Sequence, residues 1–172
     1  MSLPLECRYF FDSARGGRAS GSAASWDLAA DPAAVAELAE LGVARDEAPA
    51  LLLSEPDGKP RVLGVRLTAE EASRLAAGEG LPAEGLTLYS SEWCPDCRRA
   101  KRVLEEAEVA FEEVNIDSDR GAEELVLARA GGRRVVPTLR FEERLWAFNP
   151  DPPLLRKLLA GGAAARRPRP TH

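Results

Sequence analysis

The chain of 172 residues is 45% apolar and carries a net charge of −5, which allows one large or two small cores and disfavours binding to a nucleic-acid backbone. Its single histidine, His172, excludes Ser-His-Asp and Cys-His catalysis and His-based zinc enzymes, while three cysteines are too few, and odd in number, for a secreted disulfide scaffold. No apolar run reaches the ~20 residues of a membrane span and no basic-then-apolar leader is present, so a cytoplasmic location with neither membrane nor nucleic-acid partners is expected.

In chain order, LECRYFF (5–11) predicts a strand and SARGGRASGSAAS (13–25), low in complexity, predicts a flexible loop. DPAAVAELAELG predicts a helix with Asp31 as cap, Pro32 in its first turn and Gly42 at its stop. APALLLSEPDGKPRVLGVRL (48–67) predicts a hairpin turning at Pro56-Asp57-Gly58, and TAEEASRLAAG opens a helix on a capping box from Thr68 to Glu71. The Gly- and Pro-rich AGEGLPAEG (77–85) then breaks the pattern. It divides the chain into a unit of residues 1–80, a linker at 81–85, a second unit of 86–161 and a disordered tail, 162–172.

The second unit alternates more regularly. LTLYS (86–90) predicts a strand. From Pro95 onward Cys97, Ala100, Val103, Leu104 and Ala107 share one helical face, with charged residues opposite. FEEVNID (111–117) predicts a second strand, and SDRGAEELVLARAGG a helix stopped at Gly131-Gly132. RVVPTLRF and RLWAF predict a hairpin around Glu142-Glu143. DPPLLRKLLAGG closes the unit as a helix capped by Asp151. The order β-α-β-α-β-β-α begins with a strand–helix–strand crossover, so the class is α/β with a mixed four-stranded sheet and helices on both faces.

Cys94-Pro95-Asp96-Cys97 falls where the first of these strands passes into its helix. A sulfur there faces unpaired backbone N–H groups and the positive end of the helix dipole, which favour the reactive thiolate. Cys97 lies one turn on, on the apolar face, placed to attack a mixed disulfide on an exposed Cys94. Asp96 opposes a second negative charge, and Arg98, Arg99 and Arg134 offset it; Asp96→Asn is expected to lower the Cys94 pKa. A zinc site needs about four ligands, and Cys7 and His172 are the only soft ligands besides this pair. A metal or iron–sulfur centre shared between two chains, or an inert pair in a core, remain alternatives to a cycling dithiol.

YSSEWCPDC, EEVNID, GGRRVVPT and FNPDPPLLRKLL together resemble the glutaredoxin branch of the thioredoxin superfamily, and most closely its mycoredoxin-like redoxins, over residues 86–160. The resemblance implies a thioredoxin-like fold, Cys94 as nucleophile, Cys97 as resolving thiol, and a cis-proline step at Val136-Pro137 beside them. Trp93, Pro95 and Asp96 would support the site. Arg134, Val136, Pro137, Thr138 and Asp151 would bind substrate, Val136 by pairing its backbone with an extended thiol-bearing chain. It implies no bound cofactor or metal, and a low-molecular-weight thiol, mycothiol or glutathione, as reductant for disulfide-bearing proteins or mixed disulfides. Many glutathione-using relatives carry a Gly-Gly pair before the last helix, where amides hold a carboxylate. Here Asn149-Pro150 stands instead and Pro150 has no N–H, which leans toward mycothiol or a protein disulfide. An electron donor to ribonucleotide reductase, recharged by thioredoxin reductase, would share the chemistry. The first unit parallels the second, with Ala48-Pro49 where Val136-Pro137 falls. It reads as a degenerate thioredoxin-like repeat, short of one strand and one helix and without a CxxC, that presents clients or shields the site. Cys7 in its first strand is expected to be buried and inert.

Overall fold

A computed structural model describes residues 5–20, 23–81 and 85–161; the expected tail and most of the expected linker lie outside the described residues. The first half runs β1 (Glu6–Phe11), β2 (Ala24–Asp27), α1 (Pro32–Glu40), β3 (Ala50–Ser54), β4 (Pro60–Gly64) and α2 (Ala69–Ala76). The second runs β5 (Leu86–Ser90), α3 (Pro95–Glu106), β6 (Glu112–Asn115), α4 (Arg120–Arg129), β7 (Thr138–Phe141), β8 (Leu145–Phe148) and α5 (Pro152–Gly161).

The local signals set these elements. Asp31 accepts from the N–H groups of Ala33 and Ala34, and Thr68 and Glu71 close the capping box of α2. Gly131 and Gly132 adopt the left-handed conformation that ends α4. The stretch expected as a flexible loop departs from that reading. Residues 13–15 form a 3₁₀ turn capped by Asp12, and Ala24–Asp27 is a strand parallel to β1, with Trp26 stacked on Phe10. Weak intrinsic propensity in Ser- and Ala-rich sequence is overridden by pairing with β1. The first half therefore lacks one helix relative to the second, not a strand and a helix.

The expected four-stranded sheet is half of a larger one. Eight strands lie in the order β2-β1-β3-β4-β8-β7-β5-β6, and the halves meet where β4 pairs antiparallel with β8, Leu63 opposite Trp146. Within each half the pairing senses correspond: the first two strands are parallel, the first and third antiparallel, the third and fourth antiparallel. Each half also has a cis X–Pro bond before its third strand, at Ala48-Pro49 and Val136-Pro137.

Side chains alternate across the strands, so two cores form. One holds Leu51, Leu53, Leu75, Leu88, Val103, Leu104, Leu155 and Leu158, placing α2, α3 and α5 on one face. The other holds Phe10, Leu38, Leu52, Leu63, Val126, Trp146 and Phe148, placing α1 and α4 on the opposite face. Ion pairs cross the join: Arg144 reaches Glu71 at 2.6 Å, and Arg129 reaches Glu47 at 3.3 Å. Among the described residues no helix is long and apolar enough to cross a membrane.

Candidate active site

Strand β5 ends at Ser90, and the chain turns through Ser91, Glu92 and Trp93 before α3 begins at Pro95. Cys94 is the N-cap. Its backbone is extended, and its sulfur occupies the place a serine or aspartate oxygen takes in most caps, accepting the N–H of Cys97 at 3.0 Å. Pro95 suits the first helical position because its missing N–H would find no partner there. Cys94 and Cys97 are joined by a disulfide, their Cα atoms 5.2 Å apart.

The exposed nucleophile expected of Cys94 is not what this oxidised state presents. Cys94 is 7% exposed and Cys97 2%, because the cap geometry turns the first sulfur along the helix toward the second. Trp93 beside it is 83% exposed, an unusual position for a large aromatic side chain. Asp96 pairs with Arg99 at 3.3 Å across one turn, so the like charge that opposes a thiolate already has a counter-charge.

The turn before α3 is held by the segment that follows the neighbouring strand, β6. Asp117, just after β6, accepts the Glu92 N–H at 3.0 Å and an ion pair from Arg134, which also bonds Glu123 at 2.7 Å. These contacts, the Glu92 N–H foremost, hold the Asp117 carboxyl below its ordinary range. Arg134, expected to meet substrate, also braces α4 to the active-site turn, with its side chain still 40% exposed.

Register places Val136-Pro137 beside that turn. Thr138 opposes Tyr89, so Pro137 falls level with Ser90 and Val136 lies past it, toward the turn. Among the described residues none is hydrogen-bonded to the Val136 backbone. Thr138 is fully buried and donates its hydroxyl to the Val135 carbonyl at 2.8 Å, so it supports the bend rather than lining a groove. Asp151 accepts the Leu154 N–H and caps α5. The Asn149 N–H is committed to the Pro137 carbonyl at 2.7 Å.

Two contributors escaped the sequence reading. Arg61, from the first half, pairs with Glu55 at 2.6 Å and donates to the carbonyls of Phe148 and Asn149, each at 3.3 Å, fixing the chain just before α5. An open groove of about 770 Å³ runs beside it, bounded by Asp96, Arg99 and Val103 of α3, the first turn of α5, and Leu5, Leu53 and Ala76 of the first half. Neither leaves a local mark in the sequence, since both arise from the β4–β8 pairing. Cys7 is half-buried rather than buried; its thiol is free, and burial pushes its pKa up. Among the described residues no three His, Cys, Asp or Glu side chains converge on a point.

Residues 86–146 match the glutaredoxin family. A protein of Mycobacterium tuberculosis that carries the name glutaredoxin is 40% identical over 66 residues, covering 38% of this chain and 79% of that protein. Mycoredoxin 1 of Corynebacterium glutamicum is 35% identical over 65 residues, covering 38% and 80%. Among solved structures, the glutaredoxin-like NrdH-redoxin of Escherichia coli is 29% identical with a TM-score of 0.36, covering 42% of this chain and 92% of that one.

Proposed function

The chain belongs to the glutaredoxin family and is a thiol–disulfide oxidoreductase, and we propose that Cys94 and Cys97 cycle between dithiol and disulfide to reduce protein disulfides or mixed disulfides, with mycothiol as the returning reductant. The observation that carries the dithiol assignment is the cap itself: the Cys97 N–H that meets the Cys94 sulfur at 3.0 Å would equally stabilise a thiolate there. In the forward cycle the Cys94 thiolate attacks one sulfur of the substrate disulfide, and the other leaves as a thiolate that takes up a proton. Cys97 then loses its proton and attacks the Cys94 sulfur, expelling the second substrate thiol and leaving the Cys94–Cys97 bond. Two molecules of a small thiol return the two electrons: the first opens the bond and stays on Cys94, and the second removes it as a small-molecule disulfide.

The leaning toward mycothiol rests on the segment before α5. The resemblance implies a pair of amides there for a glutathione carboxylate. Pro150 has none and the Asn149 N–H is already bonded to Pro137, so neither is available. A neutral sugar-linked thiol loses nothing by this; a tripeptide with two carboxylates to satisfy does. We read the first half as a second copy of the same topology that lacks the helix between its first two strands and, with it, any CxxC; the matching pairing senses support this.

Reduced protein offered mycothiol, glutathione or thioredoxin reductase in separate assays tests the assignment. Mycothiol is expected to sustain the fastest turnover of a mixed disulfide. Equal or faster turnover with glutathione would overturn the reading of Asn149-Pro150, and turnover with thioredoxin reductase alone would reassign the reductant.

A further inference from the structure

The first half has an unassigned surface, and it lies next to the dithiol. Because β4 is antiparallel to β8, the start of β4 falls beside the end of β8, at the edge of the sheet that carries Cys94 and Pro137. The Glu55–Lys59 turn, the base of β1 at Leu5 and the end of β3 at Leu53 come to the same edge. On this face α3 covers the second half, while the first half has no helix between β1 and β2. Leu5 and the strand residues Cys7 and Phe11 are in consequence only half-buried against the core. The groove of about 770 Å³ runs along this border, from the first turn of α3, whose cap is Cys94, to Leu5 and Ala76.

The chemistry of the groove narrows its occupant. Its ionisable lining groups are three acids, Glu55, Asp96 and Asp151, and three bases, Arg61, Arg99 and Lys157. Asp96 is paired with Arg99 and Glu55 with Arg61, and Asp151 serves the α5 cap. No net charge is left to hold an anion, whereas the far wall is aliphatic. The volume is at the upper end for small-molecule sites, and the groove is an open trough rather than a cavity.

We propose that this groove binds the polypeptide flanking the substrate cysteine of a protein client, and that the first half is the wall that receives apolar side chains next to that cysteine. The proposal rests on the dithiol activity above and adds to it a substrate class: an extended protein segment with aliphatic or aromatic residues within a few positions of the reacting sulfur. Its backbone would lie along Val136 and its apolar side chains against the half-buried Leu5 and Ala76.

The test is single-turnover oxidation of pre-reduced, reductant-free protein by a nonapeptide whose central cysteine carries 2-mercaptoethanol in disulfide linkage, flanked by leucines or by serines. Bis(2-hydroxyethyl) disulfide, too small to reach the first half, is run in parallel. The leucine peptide is expected to react about tenfold faster than the serine peptide, the selectivity of one apolar contact. Leu5→Asp combined with Ala76→Glu should bring that ratio below about threefold, and Ala77→Trp, at an exposed position on the same rim, should do so without adding charge. Equal rates for the two peptides, or a ratio that survives both variants, would overturn the proposal. No reaction even with bis(2-hydroxyethyl) disulfide would instead overturn the dithiol chemistry on which it stands. Faster peptide reaction after deletion of residues 162–172 would assign the groove to the chain's own tail, and a dimer that Leu5→Asp dissolves would assign it to a second copy; either result overturns the client reading.

Discussion

The two halves of the sheet follow one plan and differ at one element. Each sends a parallel second strand beyond its first, brings a third strand back antiparallel, and adds a fourth that meets its counterpart at the seam. Where β5 passes into a twelve-residue helix capped by Cys94, β1 passes into a 3₁₀ turn of three residues capped by Asp12. Asp12 is 3% exposed and is gripped by Arg45 at 2.6 Å and 3.0 Å, an arginine from the loop before Pro49. In the second half the arginine before Pro137, Arg134, reaches past the first strand to Asp117 and leaves the cap to sulfur. The proposed chemistry thus rests on one helix start and not on the strand plan, which persists without it.

The comparison is broken most severely at the sulfur. Cys94→Ala is expected to lower the rate of disulfide reduction at least about a thousandfold, since Cys97, the other thiol at the helix start, is buried at 2% exposure. Cys7→Ala, in the corresponding first strand of the other half, should change it less than about twofold, its thiol being half-buried with a raised pKa. Cys97→Ser should sit between these: reduction of mixed disulfides by a small thiol continues on Cys94 alone, while reduction of a protein disulfide stalls as a trapped adduct visible by mass spectrometry. A Cys7→Ala variant as impaired as Cys94→Ala would mean that both halves carry the reaction.

The next effect is on the join. Gly80, between α2 and β5, lies so close to α5 that an added Cβ would sit 1.8 Å from the Leu158 carbonyl oxygen. Backbone cannot yield cheaply there, so Gly80→Ala should destabilise the protein by about 3 kcal/mol, read as a lower urea midpoint at unchanged slope. If the two halves fold as one cooperative unit through the β4–β8 pairing, far-UV circular dichroism and Trp fluorescence should fall together in that titration. Separate transitions would show the halves to be independent in stability as well as in chemistry.

What the sequence made legible follows the range of the forces involved. The caps at Asp31, Thr68, Cys94 and Asp119 and the stop at Gly131-Gly132 act within one turn, and their residue types announce them; of these, Asp119 was passed over although it accepts the Ala122 N–H at the start of α4. The dithiol was readable for the same reason, whereas Val136-Pro137 came only from the resemblance. The strand Ala24–Asp27 was not, because Ser and Ala do not favour a strand and only β1 makes it one. The β4–β8 pairing was not either: Val62, Leu63 and Gly64 read alike whether β4 is an edge or a centre, and the partner lies more than eighty residues away. Arg61 and the groove inherit that silence.

A milder way to sharpen the contrast uses pH. Hydrogen bonding to Arg45 in the first place holds the Asp12 carboxyl below its ordinary range. A carboxylate with a depressed folded-state pKa stabilises the protein above its unfolded value of about 3.9, and that contribution is lost as pH falls through the folded value. Asp12→Asn should therefore weaken the protein at pH 7 and make its stability less steep in acid, with wild type and variant converging once pH falls below the depressed folded value. Curves that stay parallel down to that pH would show that the Arg45 contact does not shift Asp12.

The smallest effect expected is at Asp96, and its sign separates two accounts of the cap. A carboxylate in the first turn of α3 opposes a thiolate on the cap sulfur, so Asp96→Asn should move the pH dependence of Cys94 alkylation by iodoacetamide to lower pH. The opposing influence is Arg99, 3.3 Å from Asp96. Both side chains are exposed, at 43% for Asp96 and 59% for Arg99, so solvent screens the pair and it behaves toward Cys94 as a weak dipole more than as a lone negative charge. Asp96→Asn should then give a shift of less than about half a pH unit, and Arg99→Gln, which leaves Asp96 bare, a shift of similar size in the opposite direction. If both variants move the profile the same way, the Asp96–Arg99 pair is not what tunes Cys94. The Cys97 N–H and its neighbours at the helix start would then carry the activation by themselves, which is the one respect in which α3 has no counterpart in the first half.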